Sequence, residues 1–206
     1  MPSLPIVAAD DFDALASALS GPGACLLDGL PDAGATDALR ADLLRLRAEG
    51  ALAPAAVGHG PARTLDRGIR GDSTLWLDDP RCGTAAAAQL RALGRLRDAL
   101  NRRLFLGLRS LEAHYALYPP GSGYARHCDR FRDSDARVIS LVSYLNPGWV
   151  DSDGGRLRLH LPDGGFADVA PRGGSTVCFL SELEHEVLPA TRERASIAAW
   201  LRRDAP

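Results

Sequence analysis

Leu111-Glu112-Ala113-His114-Tyr115-Ala116-Leu117 and Leu157-Arg158-Leu159-His160-Leu161 decide the fold. Every second residue is apolar in both stretches, the period of a strand with one buried face. Working outward, Val138–Leu145, Phe166–Ala170, Ser175–Leu180, His185–Leu188 and Ser196–Leu201 read as further short strands. Turn signals separate them: Pro119-Pro120-Gly121, Asn146-Pro147-Gly148, Asp153-Gly154-Gly155, Asp163-Gly164-Gly165 and Arg172-Gly173-Gly174. Short strands at this spacing predict a sandwich, a jelly roll or a barrel.

The first half reads differently. Asp10 is the expected cap of a short helix carrying Phe12, Leu15 and Leu19. Thr36 is the expected start of a second helix, with Leu39, Leu43 and Leu46 at helical spacing and Gly50 as its stop. The longest predicted helix is Thr84 to Leu104, with Leu90, Leu93, Leu96 (or Arg97), Leu100 and Leu104 in one stripe. Ala24–Leu27 and Ser73–Leu77 read as strands, and residues 51–72 as a long Pro/Gly/Ala loop. Loops of that length are functional or mobile. The expectation is an α+β chain of one domain over residues 1–206. Residues 1–105 form a mainly helical support with a mobile 51–72 loop, and residues 109–203 form the β core, with the helices packed on one sheet.

Composition narrows the chemistry. The chain has 206 residues and a net charge of −2, and all 24 of its cations are Arg. Without Lys there is no Schiff-base amine, no P-loop Lys and no Ser–Lys dyad. A near-neutral charge argues against nucleic acid as partner. No apolar run reaches the length of a membrane span, and Met1 to Asp13 lacks the basic region of a secretory signal. Cys25, Cys82, Cys128 and Cys178 are scattered with no CxxC, which suits reduced thiols in the cytoplasm.

Of five His, one opens a His-x-Asp: His127-Cys128-Asp129. On a strand, residues two apart share a face, so His127 and Asp129 would aim at one point while Cys128 packs behind. A second His from a distant strand would complete two imidazoles and one carboxylate, a set that suits Fe(II) with open positions. His185, in an apolar strand, is the best candidate. His59 lies in the Gly-rich loop, and His114 and His160 sit where the surface is an equal reading. Arg194, nine residues after His185, offers a planar fork for a carboxylate, with a solvated turn around Arg192 and Arg194 as the alternative.

An ordered series then carries a resemblance. It comprises Tyr118-Pro119, Gly123-Tyr124-x-Arg126-His127-x-Asp129, Tyr144-Leu145-Asn146 with Trp149, and Gly154-Gly155-x-Leu157-Arg158. Phe166-Ala167-Asp168 with Pro171, His185-Glu186-Val187-x-Pro189-Ala190, Arg194 and Trp200 complete it. Over roughly residues 66–203 it resembles the 2-oxoglutarate- and Fe(II)-dependent oxygenases, and among them the EGL-nine-type prolyl hydroxylases. The resemblance implies a double-stranded β-helix (jelly-roll) core and iron ligands at His127, Asp129 and His185. It implies Arg194 and Tyr144 on the far carboxylate of 2-oxoglutarate, Tyr118 nearer the iron, and Leu157 and Trp200 as pocket walls. Ile69-Arg70-Gly71-Asp72 and Trp76 resemble the family's segment after the active-site lid, where Arg70 and Asp72 either pair or face solvent. The implied cofactors are Fe(II), 2-oxoglutarate and O₂, with ascorbate as an accessory. The implied reaction is C4 hydroxylation of a prolyl residue in a protein, releasing succinate and CO₂. In bacterial relatives the target resembles a translation elongation factor. The Tyr118-to-His127 stretch is one residue shorter than in the animal enzymes. A free amino-acid hydroxylase and a non-enzymatic metal-binding jelly roll are the alternatives. A nucleic-acid demethylase would carry a second Arg where this chain has Trp200.

Overall fold

The computed structural model describes residues 3–56, 64–130 and 135–204. In chain order the elements are β1 (Ile6–Ala8), α1 (Phe12–Ser20), β2 (Ala24–Asp28), α2 (Ala33–Ala48), β3 (Ala53–Pro54), β4 (Ser73–Trp76) and α3 (Thr84–Leu104). The β region follows with β5 (Ser110–Tyr118), β6 (Tyr124–His127), β7 (Arg137–Tyr144), β8 (Leu157–His160), β9 (Phe166–Val169), β10 (Ser175–Leu180), β11 (His185–Val187) and β12 (Arg194–Arg202). Eight strands form a large sheet in the order β1-β2-β10-β7-β12-β5-β4-β3, and four form a small one in the order β6-β11-β8-β9. Among the described residues only β1 and β2 pair in parallel; the other pairs are antiparallel. Two facing antiparallel sheets make the expected jelly roll.

Alternation in β5 explains how the layers separate. Ala113, Tyr115 and Leu117 join a core with Leu15 and Leu19 of α1, Leu39 and Leu43 of α2, and Leu93 and Leu100 of α3. The opposite positions, Ala116 and Tyr118, join a second core with Leu157 and Leu159 of β8 and Val187 of β11. The large sheet is therefore covered on both faces, by helices on one side and the small sheet on the other. His114 consequently lies in the interior, 4% exposed, rather than at the surface that was an equal reading of its strand.

Element ends differ from the sequence reading in identifiable ways. Asp11, not Asp10, caps α1, accepting from the Ala14 amide at 3.0 Å. Helix α2 starts three residues before Thr36, because Asp32 accepts from the Ala35 amide at 2.8 Å and its small-residue first turn carries no apolar period. Gly50 follows α2 at φ 68°, a conformation that favours glycine. Helix α3 has the predicted ends. The 51–72 loop contains β3, which pairs with β4. His59 and the rest of residues 57–63 lie outside the described residues. No described helix is long and apolar enough to cross a membrane.

Candidate active site

Between the sheets lies a cavity of about 440 Å³, lined at one end by His127, Asp129 and His185 and at the other by Arg194 and Tyr118. His127 ends β6 and pairs directly with His185, which begins β11. Each imidazole is oriented by the backbone: Nδ1–H of His127 donates to the Ala125 carbonyl at 2.7 Å and that of His185 to the Leu183 carbonyl at 2.9 Å. Both Nε2 lone pairs are thereby aimed at Asp129, 3.7 Å from Oδ1 and 3.5 Å from Oδ2 respectively. One ligand atom from each of the three residues falls within 4.8 Å of the others, a group of a size to hold one metal ion.

Strand geometry does not produce this meeting as the sequence suggested. β6 stops at His127, so Asp129 lies two residues beyond the strand. A hydroxyl from β7 sets its position instead: Ser140 Oγ donates to Asp129 Oδ2 at 2.7 Å. Burial raises the Asp129 carboxyl, but the two imidazoles and Ser140 outweigh burial and hold it below the usual carboxylate range. Burial, then the neighbouring His185, lowers His127 to about 4. Both are thus in the ligating form at neutral pH. Cys128 does not pack behind a strand. It is exposed, its Sγ lies 3.3 Å from the Glu182 carbonyl, and partial burial raises its thiol.

At the opposite end Arg194 is 1% exposed. As the first residue of β12 it faces Tyr118, the last of β5. Its Nε donates to the Gly155 carbonyl at 3.0 Å and its Nη1 to Ser196 Oγ at 3.2 Å. Its Nη2 has no partner, and neither has the hydroxyl of Tyr144 beside it. The guanidinium carbon sits 5.1 Å from the Tyr144 ring centroid and 5.2 Å from that of Tyr118. Burial pushes the Tyr144 phenol up to about 12, so it remains a donor. Two buried unpartnered donors around one guanidinium match a carboxylate in charge and hydrogen-bond sense. Arg192 is the wrong side chain for this role: it pairs with Asp153 at 3.4 Å near the surface.

Gly155 and Asn146 build this end. Gly155 has φ 64°, and a Cβ there would lie 2.9 Å from that of Ala190 and 3.0 Å from Trp149 Cζ2. Only glycine presents its carbonyl to Arg194. Asn146 accepts from the Ala195 amide at 2.7 Å and donates to the Ala195 and Pro171 carbonyls, fixing the start of β12. Leu157 and Trp200 also line the cavity.

Arg70 and Asp72, which also line the cavity, pair rather than face solvent, with Nε–Oδ1 2.7 Å and Nη2–Oδ2 3.0 Å. The Gly71 amide donates to the Gly123 carbonyl at 3.0 Å and the Ala125 amide to the Ile69 carbonyl at 2.8 Å, which seats this segment on β6. Trp76 is 46% exposed and meets His114 edge-on at 5.2 Å. His114 had no assigned role, yet it lines the cavity between Trp76 and Trp200. Only the sheet order brings these residues together. Its position on the alternate face of β5 was the available signal.

A jelly roll with an open two-imidazole, one-carboxylate set has the donors that could hold a mononuclear non-haem iron. A model of the 2OG-Fe(II) oxygenase superfamily matches residues 113–202. Among solved structures, the chain is similar to a prolyl-4-hydroxylase from Pseudomonas putida, with 44% identity, 93% of this chain and 99% of that chain covered, and a TM-score of 0.85. It is also similar to a Trichoplax adhaerens prolyl hydroxylase in complex with a hypoxia inducible factor oxygen degradation domain peptide, with 26% identity, 95% and 90% covered, and a TM-score of 0.83. A viral collagen prolyl hydroxylase from Paramecium Bursaria Chlorella virus-1 shares the fold at 18% identity, with 90% and 98% covered and a TM-score of 0.63. The chain belongs to the 2-oxoglutarate- and Fe(II)-dependent oxygenases. It is an oxidoreductase that depends on Fe(II), 2-oxoglutarate and O₂.

Proposed function

We propose that this oxygenase hydroxylates a prolyl residue at C4 in a protein substrate, with His127, Asp129 and His185 as the iron ligands and Arg194 and Tyr144 as the 2-oxoglutarate anchor. The observation that carries the site assignment is the pair of buried, unpartnered donors, Arg194 Nη2 and Tyr144 Oη, beside one another, with Arg194 lining the same cavity as the ligand trio. Likeness to two prolyl hydroxylases, one of them holding a peptide, supports the substrate class. When bound, iron and 2-oxoglutarate supply the activation of O₂ and the oxidative decarboxylation to succinate and CO₂ that drives hydroxylation.

The side chains supply binding, orientation and exclusion of water. The backbone carbonyls that fix both Nδ1–H groups leave both Nε2 atoms as donors of electron pairs to the metal. The Asp129 charge neutralises part of the metal's. Arg194 and Tyr144 would fix the co-substrate tail, with Tyr118, whose ring lies 5.2 Å from the Arg194 guanidinium carbon, beside them. Leu157 and Trp200 keep solvent from the reacting end. Arg70, paired to Asp72 and 5.0 Å from the Tyr124 ring, holds the strip that borders the substrate entrance, with Trp76 at its rim. Ascorbate fits as an external reductant that keeps the iron ferrous.

An elongation factor is the first protein to assay, and the cytoplasm is the proposed location; all four cysteines are free thiols. A net charge of −2 speaks against a nucleic-acid substrate. The test incubates the protein with Fe(II), 2-oxoglutarate and lysate proteins and reads tryptic peptides by mass spectrometry. Expected are succinate release and the mass of one oxygen on proline, both absent for His127→Ala. Oxygen incorporated only into free amino acids would overturn the protein-substrate reading. Turnover surviving His127→Ala would overturn the metal assignment.

A further inference from the structure

Asp129 stands outside the strand ladder, so its side-chain orientation must come from elsewhere. Ser140 Oγ lies 2.7 Å from its Oδ2, and Ser181 Oγ lies 2.9 Å from Ser140 Oγ. Ser140 is 1% exposed and Ser181 fully buried. An ionised carboxylate only accepts, so the single hydroxyl proton of Ser140 goes to Asp129. Ser181 is then the donor to Ser140, and the relay has one direction. Its base is rigid. Ser140 sits on β7, paired to Phe179 on β10 and to Trp200 on β12, and the Ser181 amide donates to the Val138 carbonyl at 3.0 Å.

We propose that Ser140, oriented by Ser181, is a positioning residue that occupies one oxygen of Asp129 and so keeps this carboxylate monodentate toward the metal. The inference rests on the reading of His127, Asp129 and His185 as the metal site. Its consequence is a count of open positions. Two imidazoles and one carboxylate oxygen leave three positions of an octahedral ion, which suffice for a chelating co-substrate and O₂. A bidentate carboxylate leaves only two. The Ser140 hydrogen bond thus opposes rotation of Asp129 into the chelating form.

The test titrates metal-stripped protein with Co(II) by visible absorption, then adds 2-oxoglutarate. Ser140→Ala is expected to weaken Co(II) binding by about tenfold or more, the usual range for losing a hydrogen bond to a ligand. The Co(II) spectrum should shift before co-substrate is added, and 2-oxoglutarate binding should weaken although Arg194 is intact. Ser140→Thr, which keeps the hydroxyl, should restore both. Ser181→Ala should fall between wild type and Ser140→Ala, and it remains informative if Ser140→Ala does not fold. Wild-type Co(II) and 2-oxoglutarate affinities in Ser140→Ala, or in Ser181→Ala where that is the folded variant, would overturn the proposal. A lowered melting temperature alone, with metal binding unchanged, would make the hydroxyl pair merely structural. Failure of the underlying reading looks different: wild type takes up no Co(II), or His127→Ala takes it up unchanged, and the positioning role falls with it.

Discussion

Arg194 is the single side chain on which co-substrate binding is expected to depend most. Its guanidinium is buried with one nitrogen unpartnered, so a bound carboxylate would gain charge-assisted hydrogen bonds that water does not contest. Arg194→Ala should raise the 2-oxoglutarate requirement by about 100-fold, the equivalent of one to two such bonds. Arg194→Lys should recover only part of this, because an ammonium lacks the planar fork. Succinate formation against 2-oxoglutarate concentration checks both; an unchanged requirement would move the anchor elsewhere. At this scale the sequence showed which residue types carry the chemistry. It did not show Ser140, nor what Asn146 and His114 touch, because their partners lie on other strands. Ser140 is one of two serines inside the apolar run Val138–Leu145, and nothing in that run says that its hydroxyl meets Asp129.

Helices and strands follow from local rules with errors of a few residues. α3 was legible at both ends because its stripe of Leu93, Leu96 and Leu100 is unbroken and fully buried. The start of α2 was not, because an Ala/Gly-rich turn has no period to read, while the cap that defines it is one carboxylate. Asp32→Ala should remove about 1 kcal/mol of stability and lower the melting temperature by about 2–4 °C, with turnover at room temperature unchanged. A scanning calorimetry trace checks this; no shift would mean that α2 starts without help from its cap. β6 shows the converse limit. Strand alternation suggested that His127 and Asp129 share a face, but the strand ends first, and a hydrogen bond from a different sheet completes the convergence.

The whole molecule responds to pH through its buried imidazoles. His114 is held at about 4, first by burial and then by the Arg70 cation 3.4 Å from its Nε2, and His127 is likewise at about 4. The ordinary value is 6.5. The unfolded chain therefore binds protons between those values that the folded chain refuses. Stability is full above about 6.5 and falls as pH drops toward 4, by about 3 kcal/mol for His114 alone. Melting temperatures of metal-free protein at pH 7.5, 6 and 5 should fall in that order, and His114→Gln should flatten the slope. A flat profile in wild type would place these imidazoles in contact with water. With the jelly roll and Arg194 as anchor implied by the resemblance, the sequence by itself determined a core of short strands, a helical support and the iron ligands as candidates. These depend on residue type and periodicity, which are local. Only the tertiary structure decided that both faces of β5 are covered, that Ser140 holds Asp129 and that Arg194 and Tyr144 keep buried donors free beside one another. Each of those depends on which strands become neighbours, and strand order is set by packing the large sheet between helices and a second sheet.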